Sequence, residues 1–188
     1  MEDKGVIEIE NFLTDKELSF IDSEILSHVV PWHYSKHSTS EKFPFFEHII
    51  IPRPEAKVME GGEEDESDRL TIFSPLHDFF TDIQKRFCEV CDIKMNRIYR
   101  QCVNLTFPCD ETEYGDPHVD HEFPHRNFIL YLNDGYEMGE TLFFNQNGEI
   151  IKEIVPKKGK VVCFDGTILH SLRWIPRGRR IIFVSTFS

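Results

Sequence analysis

Asn127-Phe-Ile-Leu-Tyr-Leu132, Thr141-Leu-Phe-Phe144, Ile150-Ile-Lys-Glu-Ile-Val155, Lys160-Val-Val-Cys-Phe164 and Arg180-Ile-Ile-Phe-Val-Ser-Thr-Phe187 follow one another with no helical pattern between them. Each is a short run rich in β-branched and aromatic residues, bounded by turn formers: Asn133-Asp-Gly135, Asn145-Gln-Asn-Gly148, Pro156-Lys-Lys-Gly159, Asp165-Gly166 and Pro176-Arg-Gly178. Working outward, residues 97–107 and 168–174 read as two further strands. Strands this close in sequence have no room for crossover helices, so they pair antiparallel as a sandwich or barrel. A doubly wound nucleotide-binding fold is excluded, and neither GxGxxG nor GxxxxGK[ST] occurs.

The first half is different. Residues 6–13 alternate as a short strand that leads into Thr14-Asp15-Lys16-Glu17, which has capping-box spacing. Leu18, Ile21, Ile25, Leu26 and Val29 then recur at helical spacing until Pro31. A second helix is predicted with Ser74 as cap and Pro75 in its first position; it carries Leu76, Phe79, Phe80, Ile83, Phe87 and Val90 on one face. One strand, 45–51, lies between the helices, closed by Pro52-Arg-Pro54, and residues 60–68 read as an acidic loop. The expected architecture is mainly β with flanking helices packed on one outer face. The chain reads as one domain, 1–188, with residues 1–92 as a helical and β support region and 93–188 as the strand-rich core.

The 188 residues carry 21 Lys+Arg against 33 Asp+Glu, a formal charge of −12, which argues against a nucleic-acid partner. No stretch reaches the roughly 18 consecutive apolar residues of a membrane helix. The N-terminus opens Met1-Glu2-Asp3-Lys4-Gly5 with no apolar signal region, so a soluble cytoplasmic protein is expected. Five scattered cysteines give an odd count, and Cys88-Glu-Val-Cys91 stands alone in a helical pattern; buried thiols are expected there, not a disulfide framework, zinc site or redox site. Oligomeric state is not legible.

Of nine histidines, three fall in Pro117-His118-Val119-Asp120-His121-Glu122-Phe123-Pro124-His125. On a strand, residues two apart share a face, so His118 and Asp120 would converge. His170 follows 50 residues after Asp120 and would supply a second imidazole from a neighbouring strand. Two His and one carboxylate on one triangular face is how non-haem Fe(II) oxygenases hold their metal. A cation for an anionic ligand would then come from Gly178-Arg179-Arg180 at the head of the last strand, where an Arg offers a bidentate fork to a carboxylate. His121 and His125 are out of register with the triad, and Trp174 shares a face with His170 and Leu172. The remaining histidines have no partner pattern.

These motifs together, in order, are similar to the prolyl-4-hydroxylase-like branch of the Fe(II)/2-oxoglutarate dioxygenases: Arg126 to Asn133, Gly139-Glu140-Thr141-Leu-Phe143, Val155-Pro-Lys-Lys-Gly159, His170 and Gly178-Arg-Arg180, with Ile9-Glu-Asn-Phe-Leu-Thr14 resembling the branch's N-terminal signature. The resemblance covers nearly the whole chain and is weakest from Pro31 to Asp68. It implies a double-stranded β-helix (jelly-roll) core. It also implies that His118, Asp120 and His170 ligate Fe(II), and that Arg180, ten residues after His170, pairs with the distal carboxylate of 2-oxoglutarate. Arg179 is the alternative; both faces of that strand are apolar, so alternation does not choose. Tyr131 matches a tyrosine that hydrogen-bonds the same carboxylate in similar enzymes, and Thr141 is a further pocket candidate. Relatives often carry a tyrosine where this chain has Thr106-Phe107-Pro108, so Asn104 or Tyr114 is expected to stand in for it.

The implied reaction is hydroxylation of a substrate C–H by O2, with 2-oxoglutarate converted to succinate and CO2. Retention of Asp120 points to a hydroxylase, because related halogenases replace this carboxylate with a small residue. The substrate is left open among peptidyl proline, another protein side chain and a small amino acid. Two alternatives come from other classes: a jelly-roll binding module without turnover, and a cupin-like metalloenzyme that does not use 2-oxoglutarate.

Overall fold

Strands dominate the computed structural model, which describes residues 5–27, 29–36, 43–53, 71–109 and 113–188. In chain order the elements are β1 (Val6–Ile9), α1 (Asp15–Phe20) continuing into a π-helical turn (Ile21–Ile25), β2 (His33–Ser35), β3 (Phe45–Ile51), α2 (Leu76–Val90), β4 (Ile98–Thr106), β5 (Arg126–Tyr131), β6 (Thr141–Phe144), β7 (Ile150–Ile154), β8 (Val161–Asp165), β9 (His170–Leu172) and β10 (Arg180–Phe187). They form two antiparallel sheets, one of seven strands ordered β1-β8-β5-β10-β4-β3-β2 and one of three ordered β7-β6-β9. This is a mainly β jelly roll, as expected, with both helices on one outer face of the larger sheet.

The alternation along β10 explains how the layers are held. Ile181, Phe183 and Phe187 join Val103, Leu105, Phe128, Leu130, Val161 and Cys163 in a core shared with Ile21, Ile25, Phe80, Ile83 and Phe87 of the helices. Phe80 stacks on Phe183 at 4.0 Å and an interplanar angle of 2°, and Phe87 meets Phe128 edge-on at 5.3 Å. The opposite face turns Ile182 and Val184, with Cys102, Ile129, Tyr131, Val162 and Phe164, toward Phe143 and Ile154 of the smaller sheet. The core is therefore divided by the large sheet into a helix side and an inter-sheet side.

The Thr14 capping box is present in full, with the Glu17 amide donating to Thr14 Oγ1 and the Thr14 amide to Glu17 Oε2. Arg86 of α2 pairs with Glu17 at 2.6 Å and ties the two helices together. Several boundaries differ from expectation, most of the strands by one or two residues. β1 ends at Ile9 because the chain enters the left-handed region at Asn11 (φ 51°). The first helical run stops at Ile25 and not near Val29. α2 starts one residue later than expected: Ser74 Oγ accepts from the Leu76 amide but also bonds His48 Nε2, so Pro75 takes the cap position. The short edge strand β2 was not anticipated. β1 pairs with β8 and β3 with β4, so strands from before residue 92 are built into the same sheet as those after it. The 60–68 segment lies outside the described residues. No helix among them is long and apolar enough to cross a membrane.

Candidate active site

His118 and His170 are joined through the backbone: each amide donates to the other's carbonyl at 3.0 Å. Their ring centroids are 4.7 Å apart. His170 opens β9, where it faces Phe143 of β6. In each ring Nδ1 is tied to the carbonyl two residues earlier, Asp116 for His118 (3.0 Å) and Ile168 for His170 (3.2 Å). A ring that donates from Nδ1 presents the Nε2 lone pair, which is the tautomer a metal ligand needs. Burial and the neighbouring His170 push His118 down to about 4, so that imidazole is neutral at ordinary pH.

Asp120 reaches this pair, with Oδ2 3.5 Å from His170 Nε2. The segment carrying it is not the regular strand that the His-x-Asp spacing suggested. His118 makes a single bridge and Asp120 sits in a bend, because Pro117 and Pro124 remove the amides a longer ladder would use. The bend is held from outside: Arg53 donates to the Asp120 carbonyl (2.8 Å) and to Oδ1 (3.0 Å), Arg100 to Oδ1 (3.4 Å), and Asn127 to Oδ2 (2.8 Å). Burial alone would raise the Asp120 pKa. The His170 bond and the charges of Arg100 and Arg53 outweigh it and keep the carboxyl well below the usual range. Because the carboxylate is drawn toward the two guanidiniums, no three His, Cys, Asp or Glu side chains among the described residues are already set as a closed metal cage. The donor types still fit Fe(II): two imidazoles with Nδ1 occupied, and one ionised carboxylate whose Oδ2 lies on the His170 side. Arg53 and Arg100 were not singled out from sequence, since an Arg on a strand has a solvated reading as its default.

Arg180 lies at the other end of the same inter-sheet space. It is 3% exposed, donates from Nε to the Gly139 carbonyl (3.0 Å) and from Nη2 to Thr141 Oγ1 (3.2 Å), and stands 5.4 Å over the Tyr131 ring. Tyr131 Oη and Thr141 Oγ1 are 2.6 Å apart. None of the ion pairs formed among the described residues involves Arg180. A guanidinium buried without a carboxylate is costly, by several kcal/mol, unless an anion arrives to share the site. Its inward direction is set by Asn133, whose Oδ1 accepts from the Ile181 amide (2.8 Å) and whose Nδ2 donates to the Arg179 carbonyl (2.9 Å). Arg179 is exposed and lines a separate surface hollow with Asp22 and Lys158. The structure thus groups Arg180, Tyr131 and Thr141, and leaves Arg179 out.

A cavity of about 780 Å³ joins the two ends. Thr141, which bonds Arg180, is two residues from Phe143, which pairs with His170, so the backbones at the two ends stand about 7 Å apart along β6. His118, Asp120, His170, Thr141 and Arg180 all line it, as do Asn104, Phe43 and Trp174; the Phe43 and Trp174 rings lie 4.8 Å apart, tilted by 31°. Tyr114 packs against Phe144 and is not on the wall. His121 donates to or accepts from Thr186 Oγ1, and His125 bonds the Phe123 carbonyl, so both belong to packing behind the site. The cysteines are free thiols; burial pushes Cys88 to about 11 and Cys163 to about 12.

No protein-family model matches the sequence, and no curated protein matches it. Solved structures do share the fold. A 2OG-Fe(II) oxygenase family oxidoreductase from Burkholderia pseudomallei superposes with TM-score 0.75 at 14% identity, over 99% of this chain and 86% of that one. A prolyl hydroxylase from Trichoplax adhaerens, in complex with a hypoxia inducible factor peptide fragment, gives 0.64 at 12%, over 98% and 84%. The viral collagen prolyl hydroxylase of Paramecium Bursaria Chlorella virus-1, in its 2OG complex, gives 0.57 at 17%, over 98% and 96%. The fold is the jelly roll of the 2OG-Fe(II) oxygenases, and the likeness extends to prolyl hydroxylases.

Proposed function

We propose that this chain is a single-domain Fe(II)- and 2-oxoglutarate-dependent dioxygenase, residues 1–188, that hydroxylates a substrate C–H. The observation that carries the reading is the buried, uncompensated Arg180 in the same cavity as His118, Asp120 and His170. A metal-binding jelly roll with no dicarboxylate to hold would have no use for that cation. In this reading His118, Asp120 and His170 hold the iron, and Arg180 holds the distal carboxylate with Tyr131 and Thr141 beside it; Arg179 has no part. Iron, when bound, supplies the coupling of 2-oxoglutarate decarboxylation by O2 to substrate oxidation.

The protein's own share is positioning and shielding. The Asp116 and Ile168 carbonyls fix both imidazoles, and Asn127 and Arg53 fix the Asp120 carboxylate. Ile129, Ile182 and Val184 form an apolar wall between the two polar ends and keep water from the reacting region. Phe43 and Trp174 line the same cavity, and the proposed substrate is a side chain presented on a peptide or a small amino acid. One structural relative is itself a prolyl hydroxylase bound to a peptide fragment, which supports keeping peptides in the substrate class.

The test is Fe(II)-dependent formation of succinate from 2-oxoglutarate by the purified chain, with Asp120→Ala as control. Succinate in wild type and none in the variant supports the reading. A second reading is favoured by the grip of Arg53 and Arg100 on Asp120: a jelly-roll binding module that takes no metal. Failure of the protein to bind Fe(II) would select it.

A further inference from the structure

Three guanidiniums and two carboxylates line the cavity: Arg53, Arg100 and Arg180 against Glu47 and Asp120. Arg53 and Arg100 lie at the Asp120 end, where they share Oδ1 at 3.0 and 3.4 Å; Arg100 is opposite Thr186 on β10, six residues along from Arg180. Glu47 Oε2 adds a long contact to Arg100 at 3.9 Å. The Arg100 side chain is buried, but that of Arg53 is 39% exposed. Arg53 spends one N–H from each Nη on Asp120, and its Nε and remaining N–H groups make no hydrogen bond among the described residues. The charge of Arg100, together with burial, lowers the Arg53 pKa more than Asp120 raises it, so positive potential is left over at this end.

With Fe(II) and 2-oxoglutarate in place, the metal and three guanidiniums outweigh Glu47, Asp120 and the two carboxylates of the co-substrate by one positive charge. Arg180 is matched by 2-oxoglutarate, so the surplus falls on the Arg53 and Arg100 end. Excess charge in a site largely closed to water is unfavourable, and an anionic group entering the cavity relieves it. We infer that Arg53 is a substrate-binding residue and that the substrate bears a carboxylate, taken by the open edge of its guanidinium; this rests on the proposed use of iron and 2-oxoglutarate. Phe43, Phe45 and Trp174 on the same wall suit the uncharged remainder of such a molecule.

The test is stimulation of succinate formation in the Fe(II)-loaded protein by paired probes. Each free amino acid is compared with its α-carboxamide, and acetylated, amidated Glu-Pro-Glu with Gln-Pro-Gln. The acid of at least one pair is expected to stimulate at a concentration about tenfold lower than its amide, the worth of one contact to a charged group. A response to free acids places the carboxylate at the α position, and a response to the Glu peptide places it on a neighbouring side chain. Arg53→Gln should bring the acid-to-amide ratio close to one. Because Arg53 also holds Asp120, the ratio is the readout: a structural role would weaken both members alike, and a ratio left standing overturns the inference. Glu47→Gln keeps Asp120 and both its contacts to Arg53, and should raise the ratio by removing a competing negative charge; a ratio unmoved or lowered overturns the inference even if Arg53→Gln loses its iron. Equal response to acid and amide in wild type, or no response to any pair, does the same. If wild type binds no 2-oxoglutarate in the presence of Fe(II), the proposed function fails first and this inference with it.

Discussion

Ile181, Phe183 and Phe187 on one side of β10, and Arg180, Ile182 and Val184 on the other, are almost equally buried, at 0–2% and 3–6% exposure. Their surroundings differ. The first set meets the helices in a close-packed aromatic layer, where Phe80 and Phe183 lie flat on each other. The second faces a cavity of about 780 Å³ that also holds two other arginines, two carboxylates and two imidazoles. Burial alone therefore does not separate core from site; what fills the space opposite does. The helix face stabilises the sheet, and the cavity face uses that rigid sheet to place polar groups at fixed spacing.

Substitutions on the two faces should part stability from ligand chemistry. The largest effect is expected at Asp120. Asp120→Ala should bring Fe(II)-dependent succinate formation to background, and it should also lower the melting temperature, because Arg53 and Arg100 would face each other without the carboxylate between them. A variant that kept turnover would remove the metal triad from the account. On the helix face, Phe80→Ala should cost about 3–5 kcal/mol in a urea titration. The protein still folded should bind 2-oxoglutarate as wild type does; a matched loss of affinity would erase the contrast between the faces.

Arg180→Ala sharpens the contrast from the other side. It should raise the Kd for 2-oxoglutarate by more than about tenfold, a loss of ~1.5–3 kcal/mol for a charge-assisted contact. Stability of the ligand-free protein should hold or rise, because the removed cation is buried with no ion-pair partner among the described residues. The smallest effect is expected at Arg179→Ala: within about 0.5 kcal/mol in stability, with no change in 2-oxoglutarate affinity. If Arg179→Ala weakens binding and Arg180→Ala does not, the orientation of this turn is wrong.

The strand-rich half was legible because short apolar runs between Gly- and Asn-containing turns have few other solutions, and β3, β6 and β10 begin and end where expected. The His-x-Asp spacing pointed to His118 and Asp120, although the strand geometry behind that expectation is a proline-bounded bend in the structure. Arg179 and Arg180 could not be told apart from sequence, since β10 is apolar on both faces. The distinction comes from Asn133, a long-range contact that no local period encodes. Arg53 and Arg100 were missed for the same reason. Each is polar on a strand or turn where exposure is the usual outcome, and only the closure of the two sheets makes them neighbours of the site. Ser74 was displaced by one residue from its cap because His48 competes for the same hydroxyl.

The most direct test of the iron and 2-oxoglutarate assignment is an anaerobic titration of metal-free protein, first with Fe(II) and then with 2-oxoglutarate, followed by visible absorbance. A weak charge-transfer band of the bound chelate is expected in wild type, absent in Asp120→Ala and requiring more 2-oxoglutarate in Arg180→Ala. Binding of Fe(II) with no band at any 2-oxoglutarate concentration would contradict the assignment and leave a metal-binding jelly roll of another kind.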